Sequence, residues 1–167
     1  EAFMKFDFSK LIVIAAILLF AGMLWLEDMA FKDEISGTPR VVDGDSLVLN
    51  GEKVRLKGID APELQQKCEK KGQSWRCGRA STSALRKMIR SQKVDCQGTE
   101  FDRHQRLLAT CFVNGLNLNK NMVKLGWAVS YGSAYKPEER QAKGQSVGIW
   151  QGKFEWPSDW RRKNPRY

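Results

Sequence analysis

Three short polar segments bring carboxylates and arginines together in a chain of 167 residues. They read DGDS at 43–46, RLKGIDAPE at 55–63 and DRHQR at 102–106. Carboxylate and carbonyl oxygens suit a hard divalent cation, and an arginine can hold a phosphate group through two parallel N–H donors. Hydrolysis of a phosphodiester needs such a cation, a base for the attacking water and fixed positive donors around the phosphorus. The three segments together contain all of these groups.

Within the segments, five side chains have the required chemistry. Asp45 and Asp60 can bind the cation. Glu63 follows Asp60 across a turn stiffened by proline, so it can share the cavity without sharing the cation. Arg55 and Arg106 can supply the positive donors. Each segment alone has a plainer explanation as a turn, a capped loop or a solvated arginine, but their order beside predicted strands favours the chemical interpretation.

The chain has a single histidine, His104. A histidine-rich metal cluster and a paired-histidine nuclease are therefore excluded, and acid–base chemistry falls to a carboxylate. His104 itself lies in the third segment, where it is either a phosphate-binding group or an exposed loop residue.

Five predicted strands and three predicted helices must position these segments. The strands are 41–42 and 46–49 (two short strands or one bent strand), 53–59, 93–97 and 107–113, and the helices are 79–90, 118–125 and 137–146. Asn50-Gly51 is typical of a type I′ hairpin turn, because both central positions need a positive φ. A polar tether is expected at 32–38 and a polar loop at 64–78. Without a repeating strand–helix–strand pattern, these elements indicate a small α+β domain, a barrel with helices attached.

Residues 11–26 (LIVIAAILLFAGMLWL) form an uncharged apolar run. As a helix this run rises about 24 Å, slightly less than the roughly 30 Å core of a bilayer, and Phe8 and Ser9 can extend it. We expect an uncleaved transmembrane anchor, with a cleaved signal peptide or a buried helix of the globular domain as the alternatives. The first two of these export the rest of the chain.

Four cysteines are present: Cys68, Cys77, Cys96 and Cys111. An even number in a small exported domain, without a zinc-binding spacing, favours disulfides. Of the three connectivities we expect 68–77, which would staple the polar loop, and 96–111, which would join two neighbouring strands. Each bond could contribute roughly 2–4 kcal/mol. Four reduced thiols in a cytosolic protein are the alternative.

Charge is distributed unevenly along the chain. Residues 1–34 contain three Lys/Arg against six Asp/Glu, whereas from Ile35 onward the count is 25 against 13, a net charge of +12. A domain this basic suits a polyanion such as nucleic acid, anionic lipid or polysaccharide. A merely solvated basic surface is the plainer alternative.

The order of the three segments resembles the pattern of the staphylococcal nuclease (thermonuclease) family: D-G-D-[ST], R…D-[TA]-P-E and D-[RK]-Y-G-R. The resemblance runs from about Pro39 to Trp150. It implies an α+β fold, a five-stranded OB-like β-barrel with about three short α-helices. The apolar run 11–26 adds one N-terminal transmembrane helix to this expected fold. We divide the chain into 1–34 (anchor and tether), 35–152 (nuclease domain) and 153–167 (basic and aromatic tail).

The resemblance also implies one Ca²⁺ ion and a set of site residues. The cation ligands would be Asp45, Asp60 and the backbone carbonyl of Ala61, the general base or water-orienting group would be Glu63, and the phosphate clamp would be Arg55 and Arg106. The family cuts DNA and RNA at the 5′-oxygen side of the phosphate, leaves 3′-phosphate ends and prefers unpaired strands. Single-stranded DNA or RNA is therefore the expected partner.

This sequence departs from the family pattern just before the second arginine. The family's Tyr and Gly are replaced there by His104 and Gln105. A second family tyrosine aligns with either Tyr131 or Ser133. The residues predicted to contact substrate are Arg103, His104 and Tyr135.

We therefore expect a Ca²⁺-dependent endonuclease anchored in a bacterial inner membrane, with its catalytic domain in the periplasm, or secreted if the signal is cleaved. A monomer without a protein partner is expected. The rival classes are a nucleic-acid-binding module that does not cut and an envelope protein whose basic face meets anionic lipid headgroups. The tail (153–167) either binds single strands by charge and stacking or packs over the barrel through its tryptophans. We favour the second interpretation, in which the tail is a strap over the barrel.

Overall fold

A computed structural model of the protein describes residues 12–19 and 33–165. The chain divides into two compact units, Glu1–Lys32 and Asp33–Tyr167. In the first unit, residues 12–19 are helical (α1) and their side chains are exposed. The remainder of the predicted membrane segment 11–26 lies outside the described residues. Across both described ranges, no helix combines the length and apolar character needed to cross a membrane.

The second unit is built around one curled sheet. In residues 33–165 the strands are β1 (Asp33–Gly37), β2 (Arg40–Val41), β3 (Ser46–Leu49), β4 (Glu52–Leu56), β5 (Ile59–Asp60), β6 (Cys68–Lys70), β7 (Gln73–Trp75), β8 (Val94–Phe101), β9 (Leu107–Val113), β10 (Leu116–Asn117) and β11 (Val129–Ser130). Seven of them form one sheet in the order β1-β8-β9-β4-β3-β2, with β10 beside β9. The pairs β5–β11 and β6–β7 form two smaller sheets.

Two of the helices contribute buried residues to the core cluster that this sheet forms. Within residues 33–165 the helices are α2 (Cys77–Ile89), α3 (Leu118–Lys124), α4 (Lys136–Gly144) and α5 (Pro157–Lys163), together with a 3-10 turn at Gly148–Gln151. Strand β9 alternates buried and half-buried residues, as expected when one face of a strand meets the core. Leu85 and Ile89 of α2 and Leu118 and Met122 of α3 are buried in the same core cluster.

A side-chain hydrogen bond links the edge strand β1 to the turn between β3 and β4. Asn50, in the turn between β3 and β4, donates from Nδ2 to the carbonyl of Ser36 on β1 (3.0 Å). Asn50 and Gly51 have φ values of 51° and 89°, which confirms the type I′ turn. The OB-like α+β architecture is therefore confirmed, in the form of a half-barrel.

The number of elements differs from the sequence prediction. The main sheet has seven strands rather than five, partly because β1 lies in the stretch 32–38 that was expected to be a tether. In β1, Ile35 lies opposite Cys96 and packs against the core, so one inward apolar residue fixes an otherwise polar edge strand. The predicted loop 64–78 contains the hairpin β6–β7, and the tail contains α5. About three helices were expected, and residues 33–165 contain four.

Both expected disulfides are present, Cys68–Cys77 and Cys96–Cys111. Cys96 and Cys111 are direct register partners across β8 and β9. Cys68 begins β6 and Cys77 begins α2, so the other bond joins the small hairpin to the start of a core helix. The predicted connectivity is confirmed.

Candidate functional site

The first segment, DGDS, is a tight turn that leads into β3. The carboxylate of Asp43 accepts a hydrogen bond from the N–H of Asp45 (3.1 Å). Gly44 lies so close to Ser81 of α2 that a Cβ at this position would stand 2.1 Å from the hydroxyl oxygen. Glycine therefore allows the turn to pack against α2, with Asp45 buried at 3% exposure.

The second segment is positioned by two strand pairings. Arg55 lies on β4 opposite Ser46 of β3, and Asp60 lies on β5 opposite Val129 of β11. Asp60 is 2% exposed, and Glu63 follows in the loop that approaches α2. This approach requires glycine at 78, because a Cβ there would be 1.7 Å from the carbonyl oxygen of Glu63. Backbone pairing and close packing thus fix both carboxylates.

Arg55 joins the two buried aspartates. Its Nη1 donates to Oδ1 of Asp45 and its Nη2 donates to Oδ1 of Asp60, each at 2.9 Å. The second oxygen of Asp45 accepts from the N–H of Ala61 at 2.9 Å. Ala61, predicted as a ligand through its carbonyl, therefore lies directly beside Asp45.

The charges of this cluster influence one another strongly. Burial raises the pKa of Asp45 to about 7; Arg55 opposes the rise, while the nearby carboxylates of Asp43 and Asp60 add to it. Burial acts against the charged form of Arg55, but Asp45 and Asp60 outweigh it and raise the pKa of Arg55. The two buried carboxylates, Asp45 and Asp60, thus share the positive charge of one guanidinium, that of Arg55.

The third segment is organised by Asp102. Its Oδ1 accepts from the backbone N–H groups of His104 (2.8 Å) and Arg106 (3.1 Å), and its Oδ2 accepts from Nε of Arg106 (2.8 Å). Partial burial would raise the pKa of Asp102, but the hydrogen bonds from Arg106 and His104 outweigh this and lower it to about 2. Nη1 of Arg106 lies 3.4 Å from the Ser46 hydroxyl, which donates to Asp45. The loop therefore aims Arg106 at the first segment.

All three segments meet at one cavity of about 980 Å³. The lining residues from the three segments are Asp43, Ser46, Arg55, Glu63, Asp102, Arg103, His104 and Arg106. Asp45 and Asp60 adjoin the cavity through Arg55, which bonds to both. The structure thus brings together the five side chains singled out from sequence, namely Asp45, Arg55, Asp60, Glu63 and Arg106.

The residues predicted to contact substrate divide into two groups. Arg103 and His104 line the cavity, with Nε of Arg103 3.2 Å from Nε2 of His104. Tyr135 is not among the lining residues: it packs against the core, with its ring close to Gly58. Tyr131, which is 65% exposed, lines the cavity instead.

Sequence reasoning missed Arg161 of α5 as a site residue. Its guanidinium donates to both oxygens of Asp60, at 2.8 and 3.0 Å, and to Oε1 of Glu63 at 3.0 Å. Burial opposes its charge, but Asp60 and Glu63 outweigh this and raise the pKa of Arg161. The basic and aromatic composition of the tail was the available signal. The favoured strap is also present, since Trp156 packs edge-on against Trp150.

Sequence reasoning also missed Gln66, which is fully buried. Its Oε1 accepts from the N–H of Glu63 (3.2 Å), and its own N–H donates to the carbonyl of Glu63 (2.7 Å). Its Nε2 donates to the carbonyl of Glu155 in the tail (2.7 Å). Gln66 thus connects the loop of Glu63 with the segment that precedes α5. A polar residue in a polar loop carries no sequence signal for this role.

The donor set fits a hard divalent cation. Asp45 and Asp60 present carboxylate oxygens close enough to share one guanidinium, and oxygen ligands are those that Ca²⁺ prefers. A cation beside them would favour the charged form of Asp45, whose pKa is raised by burial and, to a smaller extent, by the neighbouring carboxylates of Asp43 and Asp60. Among residues 12–19 and 33–165, no group of three or more His, Cys, Asp and Glu side chains has metal-site geometry. A cation would therefore need a backbone oxygen or water to complete its shell.

Fold and site together define the class: an OB-like α+β domain of the nuclease type. A model for the family described as "Staphylococcal nuclease homologue" matches residues 53–152. The chain belongs to the staphylococcal nuclease homologue family.

Three relatives illustrate the similarity. The succinoglycan biosynthesis protein ExoI of Rhizobium meliloti (strain 1021) is 34% identical over 149 residues, 85% of this chain and 77% of that protein. An uncharacterized endonuclease of Haemophilus influenzae is 32% identical over 136 residues, 74% of this chain and 71% of that protein. The probable staphylococcal-like nuclease CAN3 of Oryza sativa subsp. japonica is 33% identical over 124 residues, 71% of this chain. The match spans only 30% of the rice protein.

Proposed function

We propose that this protein is a Ca²⁺-dependent endonuclease that hydrolyses phosphodiester bonds in DNA or RNA, prefers single strands and leaves 3′-phosphate ends. The observation that carries the proposal is that Arg55, Arg106 and Glu63 line one cavity, and that Arg55 bonds to the buried aspartates 45 and 60. Relatives named as nucleases support the reaction class. The ion, the strand preference and the product ends follow the resemblance to the family.

Each side chain has a distinct part in the proposed reaction. A bound Ca²⁺ would be held by Asp45, Asp60 and the carbonyl of Ala61, and it would neutralise a phosphate oxygen. Arg55 and Arg106 would hold the remaining charge on the phosphate, which grows as the water oxygen bonds to phosphorus. Glu63 would accept a proton from the attacking water, and the bond between phosphorus and the 5′-oxygen would break, with the 5′-oxygen taking up a proton from solvent.

The same proposal places the site outside the cytoplasmic membrane, attached through the N-terminal apolar segment 11–26. Two disulfides support an oxidising compartment, since such bonds are rare where thiols are kept reduced. Cell fractionation followed by thiol alkylation tests this placement. Recovery of the chain from the soluble cytoplasmic fraction with four reactive thiols would contradict it.

The test of activity is a Ca²⁺ titration of the full chain on a labelled single-stranded oligonucleotide. Cleavage should rise with Ca²⁺ and stop with EDTA, and the products should prime a polymerase only after phosphatase treatment, because a 3′-phosphate blocks extension. No cleavage with any divalent ion, together with salt-sensitive binding, would support a non-catalytic module instead. Binding to anionic vesicles without affinity for nucleic acid would support a lipid-facing protein.

Two substitutions test the assigned roles. Glu63→Gln and Arg106→Ala should each lower the cleavage rate by roughly 10²–10³-fold, the scale seen for lost general bases and transition-state donors. Glu52→Gln on β4 and Arg140→Ala on α4 are matched controls, because both side chains are exposed and away from the cavity. Unchanged rates in the first pair would show that the roles are assigned wrongly.

A further inference from the structure

The C-terminal helix α5 lies beyond the matched family region, which ends at residue 152, yet it reaches the carboxylates of the site. Arg161 bonds to Oδ1 of Asp60 at 2.8 Å and to Oδ2 at 3.0 Å. Arg55 bonds to the same Oδ1 at 2.9 Å. Both oxygens of Asp60 therefore carry a guanidinium, and Arg161 is a member of the site that the family match does not include.

A divalent cation and Arg161 need the same oxygen of Asp60. Ca²⁺ binds carboxylate oxygens at roughly 2.3–2.6 Å, which is closer than an N–H donor approaches. Arg55 already takes Oδ1, so Oδ2 is the oxygen at which a cation would meet Arg161. Two positive groups on one oxygen repel each other, most strongly where burial limits screening, and Asp60 is 2% exposed. Cation binding at Oδ2 therefore favours departure of Arg161.

The start of α5 is anchored by contacts that do not involve Arg161. Of its seven described residues, Pro157 is buried. Just before the helix, the carbonyl of Glu155 accepts from Gln66 (2.7 Å), and Trp156 packs against Trp150 with ring centroids 6.1 Å apart. These contacts would hold the base of the helix while its far end moves.

The far end of α5 bonds to the site carboxylates through Arg161. The neighbouring basic residues Arg162 and Lys163 instead pair with Asp159 and Glu155 of the tail itself. A helix of seven residues is not stable alone in water, so its order depends on tertiary contacts. Loss of the Arg161 bonds would therefore let α5 open locally.

The position of α5 also bears on access to the cavity. Trp160, Arg161 and Asn164 line the cavity beside Arg55 and Glu63. With the helix in this position, these side chains fill space next to the groups that would contact a phosphate. Movement of α5 would widen the cavity on that side.

We propose that Arg161 is a built-in competitor of the cation: it binds Asp60 and Glu63 while α5 is closed, and cation binding at Asp60 releases it and opens the helix. The inference rests on the proposed cation site, but not on cleavage itself. It makes α5 an autoinhibitory element that couples loading of the cation to opening of the cavity. A static structural ion pair would leave α5 closed in both conditions.

Amide hydrogen exchange of residues 157–163 in the full chain tests the proposal directly. With a closed population of about 90%, release should accelerate exchange in this segment about tenfold when Ca²⁺ is added. Exchange in β9, in the middle of the sheet, is the internal control and should not accelerate. Unchanged or slower exchange in 157–163 at saturating Ca²⁺ would overturn the proposal, whatever any variant does.

A matched pair of variants adds a second measurement. Arg161→Gln should lower the apparent Kd for Ca²⁺ about tenfold, measured from the Ca²⁺ dependence of the unfolding midpoint. Its exchange in 157–163 should already be fast without Ca²⁺. Arg162→Gln removes the adjacent positive charge, which pairs with Asp159 instead, and should change the Kd less than twofold. Equal changes in the Kd of both variants would show that the loss of any nearby positive charge strengthens Ca²⁺ binding, and this result would overturn the proposal.

Failure of this inference is distinguishable from failure of the proposed function. A chain that cuts nucleic acid but shows no Ca²⁺ response in α5 refutes the competitor role alone. A chain that opens α5 with Ca²⁺ but does not cut supports the competitor role and refutes the nuclease. Opening should also raise cleavage by Arg161→Gln above that of the parent when Ca²⁺ is well below saturation.

Discussion

Two guanidinium groups bond to the same oxygen of Asp60 but are supported in different ways. Arg55 lies on β4, between β3 and β9 of the sheet, and its side chain is 16% exposed. Arg161 lies on the seven-residue helix α5, and its side chain is 38% exposed. Their contact distances to Oδ1 of Asp60 are 2.9 and 2.8 Å. The two contact distances are thus nearly equal, although Arg55 is carried by a central strand and Arg161 by a short helix.

The difference shows that bond length alone does not rank these ion pairs. Arg55 is carried by a strand paired on both sides, which opens only close to global unfolding, whereas Arg161 is carried by a short helix that can open locally. An ion pair with little exposure also loses more when one partner is removed than an exposed pair does. Arg55 is therefore a fixed part of the site, and Arg161 is an exchangeable one.

The largest expected difference is in global stability. Arg55→Gln leaves Asp45 and Asp60 without their shared counter-ion, and it should lower the free energy of unfolding by roughly 3–5 kcal/mol. Arg161→Gln should lower it by only about 1.4 kcal/mol, the equivalent of the tenfold change in the opening of α5, because the pair is more exposed and Asp60 keeps Arg55. Urea unfolding of both variants without Ca²⁺ measures the two losses. Equal losses would remove the distinction between fixed and exchangeable groups.

The two disulfides offer a second comparison of sheet and tail. Replacing both Cys96 and Cys111 with alanine should lower the free energy of unfolding by about 3 kcal/mol, the value for a loop of about 15 residues. Replacing both Cys68 and Cys77 should cost about as much. These two cysteines belong to the cluster of Trp150 and Phe154, on which Trp156 packs.

The two pairs should therefore differ in local rather than global stability. Only loss of the bond between Cys68 and Cys77 should also accelerate amide exchange in α5, because it loosens the cluster that anchors the tail. Exchange rates and urea midpoints of the two double variants check this. Acceleration of α5 by loss of the bond between Cys96 and Cys111 would mean that the tail depends on the sheet as a whole.

Arg106 is intermediate, since it is held by a loop through Asp102. The pKa of Asp102 is lowered to about 2 from its ordinary 3.8, so the folded state binds the proton less readily than the unfolded state. The stabilisation is therefore complete above pH 4 and is lost as the pH falls from about 4 to about 2. The difference in unfolding free energy between the parent and Asp102→Asn should shrink over this range. A difference that stays constant would show that Asp102 does not organise the loop by its charge.

The sheet-borne half of the site could be predicted from the sequence because local rules agree there. The Asn50-Gly51 turn fixes the register of β3 and β4, and that register places Arg55 beside the DGDS turn. The resemblance of three ordered segments then identified Asp60 and Glu63. Each of these features involves residues close in the chain or paired by a recognisable hairpin.

The tail-borne half could not be predicted in the same way. Arg161 contacts Asp60 across a separation of 101 residues, and nothing in the tail specifies where its helix docks. Gln66 looks like any residue of a polar loop, although burial and hydrogen bonds give it a specific role. The edge strand β1 was missed for a related reason: its pairing with β8 gives order to a polar stretch. The positions of Arg161, Gln66 and β1 thus depend on contacts between segments far apart in the chain, and not on the local preference of each segment for a helix, strand or loop.

The smallest expected effect concerns the backbone that carries Arg106. Gln105 has a φ of 59°, in the left-handed region that costs a residue with a Cβ about 1 kcal/mol or more, and glycine adopts it freely. Gln105→Gly removes this strain but adds backbone entropy to the unfolded chain. The net gain in unfolding free energy should therefore be about 0.5 kcal/mol, measured by urea unfolding. Gln97→Gly on β8, where φ is not positive, should instead destabilise. A loss of stability on Gln105→Gly would mean that the glutamine side chain, rather than the turn of the backbone, holds Arg106 over the cavity.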